Sequence, residues 1–306
     1  MKDRLSIFPW PVQPGAQTPP TWTGRGFESE GKKQAVLCYS AEESHWSNEL
    51  TEMHEKEAGK SHPIDIASRQ FALNTLKRYC QDPDALVLEI GSSSGWLLEE
   101  IKAAMPQLAV IGSDYLAKPL LALAAKLPSV PILQFDLREC PLPPDTFDGV
   151  VLLNVLEHID DDEKALHHVA RILKPGGIAH IEVPANPDCY DIYDEHLMHH
   201  RRYRLRDLLN KARAANFDVV NATHLGFFVY PAFYAVKQRN KKLLPQPVAA
   251  KEKIVAQQIR LTRKNPGFDI LMRLETVLGN YISYPCGIRC VTVLRKKQGG
   301  KYAPIL

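Results

Sequence analysis

Apolar and polar positions along the 306-residue chain change period near Ala85. Before that point the apolar residues recur at helical spacing. Trp46, Leu50 and Met53 fall at i, i+4 and i+7, closed by Gly59, and Ala72, Leu76 and Tyr79 repeat the pattern, which predicts two amphipathic helices. From Ala85 on, short continuous apolar runs alternate with helical stretches. They predict buried strands at 86–90, 109–113, 132–136, 149–153 and 178–183, with helices between them at 96–104, 118–127 and 161–173. Leu166, Val169 and Leu173 give the last helix its buried stripe, and Lys174-Pro175-Gly176-Gly177 reads as its stop. Strand, helix and strand in alternation call for a parallel sheet with right-handed crossovers. A further helix at 205–215 leads into a strand at 217–223. A long, mostly helical stretch at 226–285 then precedes a final strand at 288–295. Residues 1–35 read as an arm, because Pro9, Pro11, Pro14, Pro19 and Pro20 prevent regular helix. No internal repeat is evident.

Composition narrows the class. With 45% apolar and 24% charged residues the chain is an ordinary globular protein long enough for a large core. The longest apolar stretch, 226–236, is 11 residues, against roughly 18 or more needed to cross a bilayer. Lys2, Asp3 and Arg4 are followed by the proline run rather than an apolar signal core, so a cytoplasmic protein is expected. Six cysteines without a C-x-x-C pair fit a reducing compartment. The net charge of +3 conceals an asymmetry, because residues 237–264 carry nine Lys/Arg and one acid, a local +8 that leaves −5 elsewhere.

The turn after the first predicted strand, Val87-Leu88-Glu89-Ile90-Gly91-Ser92-Ser93-Ser94-Gly95, puts an acid at the strand end and then small residues that let a ligand approach the backbone. A dinucleotide site calls for G-x-G-x-x-G, but Ser93 stands where its second glycine belongs, which argues against NAD. Asp114 closes the second strand, 25 residues after Glu89, where a carboxylate can accept both hydroxyls of a ribose. Asp136 closes the third, where it can accept an adenine amino group, and Asn154 closes the fourth. Four polar strand ends thus share the carboxyl edge of one sheet, where open α/β folds bind ligands.

On these residues the stretch 85–184 resembles the class I S-adenosylmethionine-dependent methyltransferases: LEIGSSSG is similar to the family's first motif, Gly112-Ser113-Asp114 to its second, Phe135-Asp136-Leu137 to its third, Asn154-Val155-Leu156-Glu157-His158 to its fourth, and Leu173-Lys174-Pro175-Gly176-Gly177 to its post-strand turn. The resemblance implies a Rossmann-like α/β fold, doubly wound, with a mostly parallel seven-stranded sheet and a helical insertion before the last strand. It implies S-adenosyl-L-methionine as cofactor, with Glu89, Gly91, Ser92 and Gly95 at the methionine moiety, Asp114 and Tyr115 at the ribose, Asp136 and Leu137 at the adenine, and Asn154 beside them. Ser93 replaces the usual glycine, which is tolerable if that backbone needs no positive φ. The stretch from Tyr190 to Tyr203 is similar to a bacterial subgroup associated with cell-surface glycan and glycolipid assembly. The implied division is an arm at 1–35, N-terminal helices over the cofactor site at 36–84, the core at 85–225, the insertion at 226–285, and the last strand and tail at 286–306.

Methyl transfer from a sulfonium needs alignment, desolvation and, for a hydroxyl acceptor, a base. The catalytic candidates are His158, His199 and His200, with one of His199 and His200 expected as general base while an adjacent Arg orients the acceptor. Tyr193, His196, Arg201 and Arg202 are the expected acceptor contacts, the forked guanidinium donors suiting phosphate or carboxylate. The competing reading makes this run a hydrogen-bonded hinge partnered by Asp191, Asp194 and Glu195. Glu157-His158 resembles the acid-x-x-Glu-His metal site of ubiquinone-pathway O-methyltransferases. Because Asn154 replaces the first acid, no metal is expected; Glu157 then caps or salt-bridges and His158 packs beside the cofactor. In the insertion, Phe227, Phe228, Tyr230, Phe233 and Tyr234 precede the basic segment. Either this forms an apolar lid with a solvated basic back, or residues 226–264 make a peripheral contact with an anionic membrane face. Nucleic acid is not an expected partner, because the fourth strand end lacks the Asn/Asp-Pro-Pro-aromatic turn of amino-methylating DNA enzymes. The expected function is methylation, at oxygen, of a small-molecule, sugar or lipid-linked acceptor. The alternatives are N- or C-methylation of a small metabolite, or a non-catalytic cofactor-binding regulatory or scaffold protein.

Overall fold

The computed structural model describes residues 4–40, 60–247, 250–251, 253–257, 266–279 and 281–299. The helix expected around Trp46, Leu50 and Met53 lies outside the described residues. The elements run β1 (Thr21–Trp22), β2 (Phe27–Ser29), β3 (Lys32–Gln34), β4 (Val36–Cys38), α1 (Pro63–Tyr79), β5 (Leu86–Ile90), α2 (Trp96–Ala104), β6 (Ala109–Asp114), α3 (Ala117–Lys126), β7 (Ile132–Gln134), β8 (Phe147–Leu153), α4 (Asp162–Ile172), β9 (Leu173–Pro184), α5 (Ile192–His196), α6 (Leu205–Ala214), β10 (Phe217–Leu225), α7 (Tyr230–Lys241), α8 (Pro266–Leu278) and β11 (Arg289–Lys296).

The main sheet has the order β10-β11-β9-β8-β5-β6-β7-β4. Strands β4 to β9 pair in parallel, and β11 runs antiparallel to both β9 and β10. The seven expected strands are all present. An eighth, Val36–Cys38, lies within the segment expected to be helical, and extends the edge by pairing with Ile132, Leu133 and Gln134. Three residues are too few to show a period, but Leu37 is fully buried there, and apolar burial compensates for ordering it. Strand β9 also starts earlier than expected. Lys174-Pro175-Gly176-Gly177 falls inside it as an irregularity in the pairing with β8, with Gly176 at φ +83°.

Period-two alternation along the strands sorts the core. Leu86, Leu88 and Ile90 pack with α4, α6 and the N-terminal arm, while Val87 faces the side covered by α1, α2 and α3. The arm contains no helix among its described residues. It folds as a small antiparallel sheet, β1-β2-β3, and puts Phe8, Trp10, Trp22 and Phe27 into the main core. Phe8 reaches Phe147 at a ring separation of 5.9 Å, and Trp10 meets Phe27 edge-on at 4.9 Å. No described helix is long and apolar enough to cross a membrane.

Because Phe27 is 1% exposed and joins the arm to the core, Phe27→Ala is expected to cost about 3–5 kcal/mol of unfolding free energy. Urea denaturation followed by tryptophan fluorescence measures it; a loss within experimental error of zero would show that the arm is not part of the cooperative core.

Candidate functional site

The parallel strands β5, β6, β7 and β8 all end at one edge, and the polar residues after them converge there. Gly91 and Ser92 donate their backbone N–H groups to the Ser113 carbonyl, both at 2.8 Å. The Ser92 hydroxyl accepts from Ser113 N at 3.1 Å, and Asp114 Oδ2 accepts from Ser93 N at 3.0 Å. The turn is therefore fastened to the end of β6. Gly91 and Gly95 lie at φ +82° and +72°. A Cβ on Gly91 would collide with the Val155 side chain and one on Gly95 with Leu123, so these positions keep the cradle open and close-fitting. Ser93 sits at φ +44°. The backbone does need a positive φ there, and the bond from Ser93 N to Asp114 offsets the strain.

Glu89 points from β5 toward α1 and α2, 4% exposed, and its Oε2 has no hydrogen-bond partner among the described residues. Burial, aided by Asp114 and opposed by Ser92, pushes its carboxyl up to about 8. Asp114 also caps the next turn, with Oδ1 accepting from Leu116 N at 3.1 Å. An orphaned acceptor at Glu89, a further carboxylate at Asp114 and a turn with no room for side chains match the needs of an ammonium group, a ribose and an adenosyl backbone. Tyr115 borders this edge, its carbonyl accepting from Gln134 Nε2 at 2.9 Å. Leu137 is buried in the core. Asn154, at φ +55°, donates its N–H to the Glu182 carbonyl.

Asp136 departs from expectation. Its carboxylate is chelated by the Arg138 guanidinium at 2.6–3.1 Å and also accepts from Arg138 N at 2.8 Å, so its lone pairs are directed at its own turn rather than at an adenine amino group. Ser40 was not anticipated here: its hydroxyl accepts from Asp136 N at 2.9 Å and brings the β4 segment to this edge.

The second half of the site lies after β8 and β9. Asp191 and Asp194, both fully buried, form a reciprocal cap at the start of α5. The Lys237 ammonium from α7 lies 2.6 Å from Asp191 and 3.0 Å from Asp194. Asn240 donates to Asp191 at 2.9 Å, and Arg202 to Asp194 at 2.8 Å. His199 Nδ1 lies 2.9 Å from Asp194 Oδ1. Burial alone would raise the Asp194 carboxyl, but Lys237, His199 and Arg202 together hold it well below the usual range. Burial lowers the His199 imidazole, opposed by Asp194. With Nδ1–H donated to an ionised Asp194, the lone pair of the neutral ring is on Nε2.

Three of the expected roles do not survive this geometry. Each of the three Arg202 side-chain nitrogens donates one bond, to the Ala185 and Ile288 carbonyls and to Asp194. Arg201 gives its donors to the Ile159 and Asp160 carbonyls and pairs with Asp162. Neither is free to clamp an anion, and the hinge reading describes them. His200 is exposed, and only its backbone reaches the site, donating to the Glu157 carbonyl at 2.8 Å. Tyr193 is half-buried on α5 with the Lys237 ammonium 5.0 Å above its ring, and His196 is half-buried at the end of that helix.

His158 and His199 come together, their rings edge-to-face at 4.7 Å. Glu157 joins them: donor atoms of Glu157, His158 and His199 all lie within 4.8 Å of one another. Glu157 is 0% exposed and neither carboxylate oxygen has a hydrogen-bond partner among the described residues, so it neither caps nor salt-bridges. Burial pushes it up to about 8. Beside this cluster, Arg289 of β11 bridges Asp65 at 2.6 Å and Glu182 at 2.8 Å. Arg289, Asp65 and Glu182 had no local sequence signal, because each comes from a different element.

In the insertion, Lys237 and Lys251 are buried against acids, so the basic segment is not wholly a solvated face. Tyr230 accepts from Asn186 Nδ2 at 2.7 Å, which seats α7 on the core.

A family model described as a methyltransferase domain matches residues 66–227. A protein of Mycolicibacterium smegmatis named as a probable S-adenosylmethionine-dependent methyltransferase is 31% identical over 144 residues, covering 46% of this chain and 54% of that protein. The demethylmenaquinone methyltransferase of Thermus thermophilus is 33% identical over 107 residues, covering 33% of this chain and 48% of that enzyme. The chain thus spans about half the length of these curated relatives. Among solved structures, a chain of the Haloferax volcanii complex between the Trm112 methyltransferase activator and a methyltransferase aligns with TM-score 0.54 at 16% identity, over 84% of this chain and 100% of that one. Haemonchus contortus phosphoethanolamine N-methyltransferase 2, with S-adenosyl-L-methionine, aligns with TM-score 0.50 at 16% identity, over 81% of this chain and 60% of that one. At such identity the likeness to solved structures is one of fold.

Glu89 supplies a pH prediction. Its folded value of about 8 is above the ordinary 4.5, so the stability it contributes is fully present below about 4.5 and is lost as pH rises toward 8. Against Glu89→Gln, the cofactor-free wild type should lose stability steadily over that window and run parallel above it. Thermal melts across the range measure the difference, and a flat difference would overturn the burial argument.

Proposed function

The chain belongs to the class I S-adenosylmethionine-dependent methyltransferases, and on that footing we propose that it methylates an oxygen of a small-molecule, sugar or lipid-linked acceptor. The observation that carries this reading is the cradle at the sheet edge, where the positive-φ turn at Gly91, Ser93 and Gly95 is fastened to Asp114 beside the orphaned carboxyl of Glu89. S-adenosyl-L-methionine supplies an activated methyl group on a cationic sulfur. Asp114 accepts the ribose hydroxyls, and Glu89 faces the polar end of the methionine moiety. Leu137 and the backbone after β7 take the adenine side. Val155, against Gly91, excludes water from the turn.

The acceptor hydroxyl lies at Glu157, His158 and His199, which orient it and assist loss of its proton, with Asp194 fixing the His199 ring. An oxygen acceptor is favoured because this end of the site is built from imidazoles and a carboxyl, groups that manage a proton. The relatives named above for demethylmenaquinone, and others named for trans-aconitate, modify small molecules, which supports an acceptor of that size. A lipid-linked or glycolipid acceptor draws support from α8, where Ile270, Leu274, Val277 and Leu278, followed by Tyr281, form an exposed apolar stripe at helical spacing.

Calorimetry with S-adenosyl-L-methionine tests the cradle: Asp114→Ala is expected to weaken binding at least about tenfold, by loss of hydrogen bonds worth roughly 1.5–3 kcal/mol to a charged group. Absence of binding by the wild type would overturn the reading. At the acceptor end, with transfer of labelled methyl as the assay, His199→Ala should lower turnover about 10²–10⁴-fold while leaving cofactor affinity within a factor of about three. His200→Ala, on the exposed side, should change neither.

A further inference from the structure

We propose that Glu157, His158 and His199 form a binding site for one divalent transition-metal cation. The proposal deepens the functional reading, since it rests on the acceptor lying at this cluster, but the binding itself is independent of turnover.

The first observation is the donor set. A carboxylate and two imidazoles, from the turn after β8 and the segment after α5, place their donor atoms within 4.8 Å of one another. Two donors at about 2.1 Å from a common ion are at most about 4.2 Å apart. In a tetrahedral site such donors lie about 3.4 Å apart, so closing the cluster on an ion draws its farthest donors together by up to about 1.4 Å.

The second observation is Glu157 itself. A carboxylate at 0% exposure whose oxygens have no side-chain hydrogen-bond partner among the described residues lacks the directly contacting cation that normally accompanies a buried acid. The nearby cations do not supply one. Arg289 is committed to Asp65, Glu182 and Ser68, and Arg202 to Asp194 and two carbonyls. An ion held jointly by Glu157 and the two rings provides the missing counter-charge.

The third observation is the support behind His199. Its Nδ1 is held by Asp194 at 2.9 Å. A carboxylate behind a histidine fixes the ring and leaves Nε2 as the metal donor, the arrangement that supports metal-ligating histidines generally. Asp194 is in turn locked by Arg202 and by Lys237 from the covering helix α7, so the ring has little freedom.

Two imidazoles and one carboxylate select borderline ions such as Zn²⁺, Co²⁺, Mn²⁺ or Fe²⁺ over Mg²⁺ or Ca²⁺, which prefer oxygen ligands. Three protein ligands leave coordination positions open to water or an acceptor oxygen. An ion there would draw electron density from a bound hydroxyl and lower its pKa, so that the proton passes to water rather than to a ring nitrogen that ligates the ion.

The test uses untagged, metal-stripped full-length protein and Co²⁺ as the probe. One equivalent of Co²⁺ is expected to give visible d–d absorption. Glu157→Gln and His199→Ala, each still binding S-adenosyl-L-methionine, should weaken Co²⁺ affinity more than about 100-fold, beyond what losing an outer partner costs. Pulsed electron resonance of Cu²⁺ bound to the wild type should show two imidazole nitrogens and needs no variant, which keeps the question answerable if a variant fails to fold. Absence of stoichiometric Co²⁺ binding, equal affinity in the folded variants, or a spectrum without imidazole coupling would overturn the proposal. Loss of S-adenosyl-L-methionine binding by the wild type would instead count against the functional reading, so the two failures are separable.

Discussion

Asp191 and Asp194 are wholly removed from water three residues apart, and the Lys237 ammonium lies against both. This ion cluster sets the geometry of the acceptor half of the molecule. Burying an ion pair adds little net stability, because desolvation offsets the attraction, but removing one member leaves an uncompensated charge at a cost of about 3–5 kcal/mol. The arrangement therefore specifies position more than it stabilises. Lys237 belongs to α7, Arg202 and His199 to the segment after α5, and Asn240 to the last turn of α7. The covering helix cannot lift away without exposing two carboxylates that no other cation nearby fully satisfies. The orientation of His199 is thereby tied to the seating of the cover.

The cofactor half is governed by backbone rather than by charge. Three residues of one turn, Gly91, Ser93 and Gly95, occupy positive φ, and the turn is fastened to β6 by hydrogen bonds to Ser113 and Asp114. The two halves meet at the residues after β8. Asn154 donates to Glu182 in β9, Val155 leans over Gly91, and Glu157 and His158 turn toward His199. A single short segment thus forms one wall of the cradle and part of the acceptor cluster. In-line transfer between two bound groups requires that kind of fixed separation.

Most of the sheet was legible because parallel strands buried on both faces are continuous apolar runs, and the acids at their ends stand out by contrast. The position of Asp114 could be read because it is local, fixed by the strand it closes and the turn beside it. Asp136 could not, since the same spacing also permits the Arg138 chelate two residues away, and nothing in the sequence decides between them. Ser93 was misjudged because the φ it adopts depends on the hydrogen bond its N–H donates to Asp114, 21 residues distant. Arg201 and Arg202 present forked donors that suit an anion, yet beside Asp162 and Asp194 their partners are backbone carbonyls, which every sequence contains and none advertises. The Asp191 and Asp194 partnership was readable in outline, as acids close to a cluster of donors. Lys237 as its centre was not, since it comes from another element 43 residues beyond Asp194.

Glu157 brings the two halves into one electrostatic argument. A sulfonium donor enters with a positive charge, and when a hydroxyl is methylated that charge must finally leave as a proton. The site must therefore be tolerant of positive charge near the acceptor, and its buried acids make it so. Asp191, Asp194 and Glu182 already have their cations, so they are neutralised before any ligand arrives. Glu157 has no such cation in direct contact, and burial raises its carboxyl, which disfavours the ionised form. The proposed cation, shared with His158 and His199, would reverse this by favouring the ionised carboxylate, and would place an electron-withdrawing neighbour beside a hydroxyl acceptor. A buried side chain that costs stability by itself and would become a ligand on binding that cation has the pattern of a residue placed for binding rather than for folding.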